Sequence, residues 1–203
     1  TTDTSQAIIG PLRASVIYDL PVFLAYLSII PGMAIFLLRM ETDFVEYYDK
    51  FYQAVRSGGS LEAIEEARNG MVETIRLGIF EIIKIQTIAI LLLIVIGEAT
   101  LKWLGISTLY LPLLYIDVIA AGLQVVLLGT LNVFFYLDKR RIVLALCSIF
   151  VVLNLALTLV SVQLGPAFYG YGFALALLVV VLAGLTMLSR TLGVLEYQTF
   201  MLQ

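Results

Sequence analysis

The chain has 203 residues, 61% of them hydrophobic and only 13% charged, with a formal net charge of −3 and a mean hydropathy of +1.02. Soluble domains run at roughly 45–50% apolar and roughly 25% charged, so this composition excludes a soluble globular domain and implies a membrane protein. The small net charge gives no reason to expect nucleic acid as a partner. With no histidine there is no His-based acid–base pair and no His-ligated metal, and the single Cys147 cannot form a disulfide within the chain. Neither GxxxxGK[ST] nor GxSxG occurs, and "GYGFAL" has Leu175 where a dinucleotide fingerprint needs its third glycine. No enzyme, cofactor or metal is therefore expected.

A secretory signal would begin behind a basic n-region, whereas this chain opens "TTDTSQ" and its apolar runs recur to the end. Without an initiating Met, it reads as a fragment of a longer polypeptide. About 20 apolar residues in helix cross a hydrocarbon core of about 30 Å, and five segments meet that length: 20–38, 79–96, 109–137, 142–164 and 168–188. Pro31-Gly32 predicts a kink or break in the first. Residues 39–76 hold 13 of the 27 charged residues, five basic and eight acidic. Ser60, trailed by Glu62, Glu65 and Glu66, reads as an N-cap with acids in the positive first turns, so a helix is predicted to start there and run into the second span. Glu81 and Lys84 are expected to pair at the inner edge of that span, and Glu98 to be solvated at the outer edge.

Nine of the twelve basic residues fall after the first span, after the third and in the tail, which predicts those segments, and the C-terminus, on the cytoplasmic side. The expected fold is all-α, a five-span transmembrane bundle. Its layout would be an outer segment and first span (1–38), a cytoplasmic acidic and aromatic helical segment (39–77), and a four-span bundle with a cytoplasmic tail (78–203). "GPAFYGYGF", residues 165–173, then lies outside, where Gly165 and Pro166 end one helix and Phe168, Tyr169 and Tyr171 suit the interfacial belt.

Polar groups within hydrocarbon are costly and turn toward protein or water. At 100° per residue, Asp117, Ala121, Gln124 and Asn132 share an arc of roughly 80° on the third span, and Cys147, Asn154, Thr158 and Ser161 one of roughly 60° on the fourth. Two such stripes could wall a hydrated path that exchanges hydrogen bonds with sugar hydroxyls, or serve as interhelical glue. The candidate pathway is Asp117, Gln124, Asn132, Asn154, Thr158 and Ser161, with Asp117 binding sugar or a proton. In "ETDFVEYYDKFY", acids alternate with aromatics. This reads either as a solvated amphipathic helix or as a docking surface made by Phe44, Glu46, Tyr47, Tyr48, Asp49, Phe51 and Tyr52, whose exposed aromatic area would exceed what solubility requires.

"LLRMETDFVEYYDKFY" at 37–52, "LQVVLLGTLNVFFYLDKRR" at 123–141, "GPAFYGYGF" and "LEYQTFM" at 195–201 together resemble, in order, the C-terminal part of the PelG family, the polytopic inner-membrane subunits of bacterial Pel exopolysaccharide exporters. The resemblance implies a flippase-like fold of two six-helix lobes around a cavity, with the five spans as the eighth to twelfth and a large part of the N-terminal lobe absent. It also implies work with a cytoplasmic glycosyltransferase and further membrane subunits, moving an N-acetylgalactosamine-rich polymer across the inner membrane. It carries no catalytic residues. A solitary small-molecule or lipid antiporter of the same superfamily and a non-transporting membrane scaffold are the alternatives.

Overall fold

A computed structural model of the chain describes residues 6–9, 12–14 and 16–194; the "LEYQTFM" tail lies outside them. Apart from a short antiparallel ribbon of β1 (Gln6–Ile9) and β2 (Leu12–Ala14) ahead of the first span, the described chain is helical. Five helical stretches are long and apolar enough to cross a membrane, which makes this a multi-pass membrane protein.

The first stretch is a chain of pieces: α1 (Val16–Leu27), α2 (Ile29–Phe36), a π-helical segment (Leu37–Asp43) and α3 (Phe44–Arg56). The interruption falls at Ser28, one turn ahead of Pro31 and not at the Pro31-Gly32 pair itself. Proline lacks an N–H, and its ring collides with the carbonyl four residues back, so the disturbance appears in the preceding turn. Ser28 absorbs it: both its N–H, at 3.1 Å, and its hydroxyl, at 2.6 Å, donate to the Ala25 carbonyl.

A tight turn through Gly58 (φ +65°) reverses the chain into α4 (Leu61–Trp103), one unbroken helix of 43 residues. Ser60 caps it, its hydroxyl accepting from the Ala63 N–H at 3.3 Å. At 1.5 Å per residue α4 is about 65 Å long, roughly twice the hydrocarbon thickness. Its first half therefore projects and pairs with α3 as a helical hairpin. That hairpin has its own interior. Phe44 (0% exposed) and Phe51 (1%) are buried with Ile64, Met71 and Ile75, and Tyr48 stacks between Phe44, Tyr52 and Tyr136. The aromatic surface expected to be exposed on this segment is thus largely consumed inside the molecule, because the predicted amphipathic helix folds back onto α4.

α5 (Leu111–Tyr136), α6 (Arg140–Leu164) and α7 (Tyr171–Gly193) complete the bundle. Half of α5, 13 of its 26 residues, is buried, against three of 25 in α6. α5 is accordingly the central post, touched by α1, α4 and α7, and α6 stands at the rim, packed chiefly on α7. Gly172 permits that contact, since a Cβ there would meet the Leu157 carbonyl and the Thr158 N–H at 2.6 Å.

At the end of the bundle nearer α3, the π-helical segment is held from two sides. Arg39 donates to Glu81 of α4 at 2.5 and 3.1 Å and to Asp43 at 2.6 Å, so Glu81 pairs with Arg39 across the bundle and not with Lys84. On the other side Glu41 accepts from Asn132 at 2.8 Å and from Tyr136 at 3.4 Å, both on α5. Glu98, expected to be solvated at the outer edge, is exposed and accepts from Lys102 at 2.7 Å.

Candidate functional site

α1 packs on α5 and α6 chiefly on α7, and residues of all four helices line a cavity of about 270 Å³: Val22, Tyr26, Asp117, Asn154, Thr158 and Phe173. Asp117 lies six residues into α5 and Thr158 six residues before the end of α6, so each sits about 9 Å along its helix from the same membrane face. Phe173 enters from the first turn of α7. The cavity therefore occupies one half of the membrane, beneath the turn that joins α6 to α7.

Asp117 is 6% exposed, and its Oδ2 has no hydrogen-bond partner among the described residues. An unpaired carboxylate in such a place is costly unless fixed dipoles or a ligand compensate. One compensating dipole is built in. Gly170, the N-cap of α7, stands against Ile116 and Asp117, close enough that a Cβ would come 2.7 Å from Ile116 Cγ2 and 3.0 Å from Asp117 Oδ1. This brings the carboxylate to the positive end of a 23-residue helix. Gly170 has φ +85° and Gly165 φ +103°, left-handed values that glycine adopts without strain. The glycines of "GPAFYGYGF" thus have separate tasks: Gly165 ends α6, Gly170 starts α7 over Asp117, and Gly172 lets the two helices touch.

Around that carboxylate the polar inventory is lopsided. The Thr158 hydroxyl donates to Asn154 Oδ1 at 3.2 Å, which leaves the Asn154 amide N–H₂ free to donate into the cavity. The Tyr26 hydroxyl donates to Gln124 Oε1 at 2.9 Å, so its oxygen faces outward as an acceptor. Among the described residues no cationic side chain lines the space. Two aromatic rings and several acceptors beside one amide donor suit a ligand rich in hydroxyl or N–H donors with apolar faces, which is the chemistry of a sugar.

Of the six residues singled out in the sequence, Asp117, Asn154 and Thr158 come together here, and Gln124 stands one layer behind, joined through Tyr26. The other two do not reach the cavity. Asn132 lies toward the opposite membrane face, engaged by Glu41, and the buried Ser161 donates to the Thr158 carbonyl at 2.9 Å within its own helix. Cys147, on the same arc of α6, is exposed. Sequence reading missed Tyr26 and Phe173, although a tyrosine in the middle of the first apolar run, away from the interfacial belt, is itself a polar signal. It also missed Gln86 of α4, which is 1% exposed and donates to the Ser28 carbonyl at 3.1 Å, bracing the broken first span.

Of the aromatic and acidic residues on α3, Phe44 and Phe51 are interior and Tyr48 and Tyr52 half-buried, while Glu46, Tyr47 and Asp49 remain exposed. Tyr48, Asp49, Tyr52, Gln53, Arg56 and Ser57 line a shallow groove of about 500 Å³.

The family model described as "PelG: Putative exopolysaccharide Exporter (EPS-E)" matches residues 1–200, a range that includes every residue of the cavity and of the α3 groove. No curated protein and no solved structure matches the chain. A match of that extent, on five membrane-spanning helices, makes this chain a member of the PelG family of exopolysaccharide exporters.

Proposed function

We propose that the chain is a transport subunit that passes a Pel-type, N-acetylgalactosamine-rich polysaccharide across the bacterial inner membrane, and that the cavity at Asp117 is part of its path. The supporting observation is the convergence of Asp117, Asn154 and Thr158, from two helices, with Tyr26 and Phe173 around one cavity. A pyranose presents hydroxyl groups at its edge and C–H groups on its faces, so amides and carboxylates bind the first and aromatic rings cover the second. Because a polymer must keep moving, each contact has to be weak and replaceable. A polar wall with one unsatisfied carboxylate offers that, where a fully paired network would not.

Membership in the exporter family supports transport over scaffolding. The projecting α3–α4 hairpin supports a polymer system over a solitary antiporter, because it supplies a surface outside the bilayer on which a cytoplasmic glycosyltransferase or another membrane subunit can dock. Its remaining free face, Glu46, Tyr47 and Asp49 with the adjoining groove, is the proposed contact. Arg39, Lys50, Arg56, Arg68 and Arg76 cluster with Lys139, Arg140, Arg141 and Arg190 at one end of the bundle, which supports a cytoplasmic hairpin and C-terminus.

Asp117→Asn tests the path. The amide keeps the shape but removes the charge, and one charge-assisted hydrogen bond is worth about 1.5–3 kcal/mol. Secreted polymer is expected to fall by about tenfold or more at unchanged protein level in the membrane. Secretion equal to wild type would remove Asp117 from the mechanism.

A further inference from the structure

A second recess opens at the other membrane face. α4 and α7 run antiparallel and each packs on α5, yet they touch each other little. The seam between them is a groove of about 220 Å³ whose walls include Ile79, Phe80 and Ile83 of α4 and Leu185 and Leu188 of α7. Ile79 and Leu188 form its floor, 8% and 3% exposed, while Phe80 stands at its lip, 62% exposed. Its polar lining residues are Arg76 and Ser189.

The position of those two residues is informative. The apolar run of α4 begins at Ile79 and that of α7 ends at Leu188, so Arg76 and Ser189 stand at the level where hydrocarbon gives way to headgroups. From Arg76 to Ile83 the groove descends about 10 Å, within the roughly 15 Å of a single leaflet. Arg76 makes no ion pair among the described residues, and the carboxylate on the bundle side of α4, Glu81, is taken by Arg39. Lys84 starts deeper, but its ammonium lies 5.9 Å from the Phe80 ring centroid, one turn back toward Arg76, as a lysine does when its head seeks the interface. One cation, Arg76, thus lines the mouth of an apolar slot open to the bilayer, and a second, Lys84, stands beside its lip at Phe80.

We propose that this groove binds an anionic phospholipid, with an acyl chain between α4 and α7, the phosphate held by Arg76 and Ser189, and Lys84 adding positive charge beside the lip. The cation at the mouth and the apolar floor complement that ligand. A zwitterionic lipid would bring a choline or ethanolamine cation toward the same two positive side chains.

The test uses the chain extracted from membranes and exchanged into detergent with phosphatidylglycerol or phosphatidylcholine, with bound lipid counted by native mass spectrometry. Phosphatidylglycerol is expected to be retained about tenfold more than phosphatidylcholine, the scale of one charged phosphate contact. Arg76→Gln should erase that preference. Leu188→Trp, which fills the groove and leaves Arg76 in place, should remove the lipid itself. Lys102→Gln at the opposite membrane face should change neither. Equal retention of the two lipids, or a preference that survives both groove variants, overturns the proposal. So does a photo-crosslinker at Ile83 that captures another protein chain and no lipid in native membranes.

Discussion

Asp117 and Gly170 show how one residue's conformation can set another's electrostatics. Among the described residues the buried Oδ2 of the carboxylate has no hydrogen-bond partner, and what stands beside Oδ1 is the start of α7, reached only because residue 170 has no Cβ. Gly170→Ala would force a left-handed φ on an L-residue and press a methyl against Ile116 and Asp117. A cost of roughly 1–3 kcal/mol is expected, measured as a lower unfolding midpoint in detergent, with polymer secretion lost in step. The polar stripe on α6 and the acid on α5 were legible from periodicity alone, since intramembrane polar residues at helical spacing announce themselves. That Asn132 and Ser161 belong elsewhere was not legible. Their fates depend on Glu41 arriving from another span and on a hydroxyl folding back onto its own helix, and neither follows from positions along one helix.

Among the elements, the π-helical segment Leu37–Asp43 has the least regular backbone in the first span, and it carries ties to both neighbours, Arg39 to α4 and Glu41 to α5. π-turns cost helical hydrogen-bond quality and recur where function demands them. Here the wider turn accompanies a clamp between two helices. Arg39→Gln and Glu81→Gln should each lower the unfolding midpoint, and the double variant should be no worse than the poorer single one, because the two side chains serve one interaction. Additive losses would show that they act separately. Sequence spacing pointed Glu81 to Lys84 instead, since helix-surface rules see only neighbours three and four residues away. The cap at Ser60 and the continuity of α4 were readable because both are local. The burial of Phe44 and Phe51 was hidden because it depends on a hairpin closing through Gly58.

For the whole molecule, the number and order of the five apolar helices followed from hydropathy, which in a bilayer is close to a complete description of what must be helical. The long α4 joins the membrane bundle to the projecting hairpin without a flexible joint, so a force on one is delivered to the other along a single rod. Membrane sidedness can be measured directly. In a Cys147→Ser background, Ser57→Cys at the hairpin tip is expected to react with an impermeant maleimide only after the membrane is opened, and Gln163→Cys in intact spheroplasts. The reverse pattern would invert the orientation drawn from the basic residues.

The rim position of α6 has a consequence for throughput. Two of the cavity's three strongest polar groups ride on a helix with only three buried residues, held to α7 by a backbone-to-backbone approach at Gly172 and by the edge-on Phe150–Phe173 ring contact. With so little of it buried, α6 is the wall of the proposed path that can move aside for a bulky residue and return behind it while the central post stays still. A wall that yields would suit cargo that arrives as a long string of similar beads.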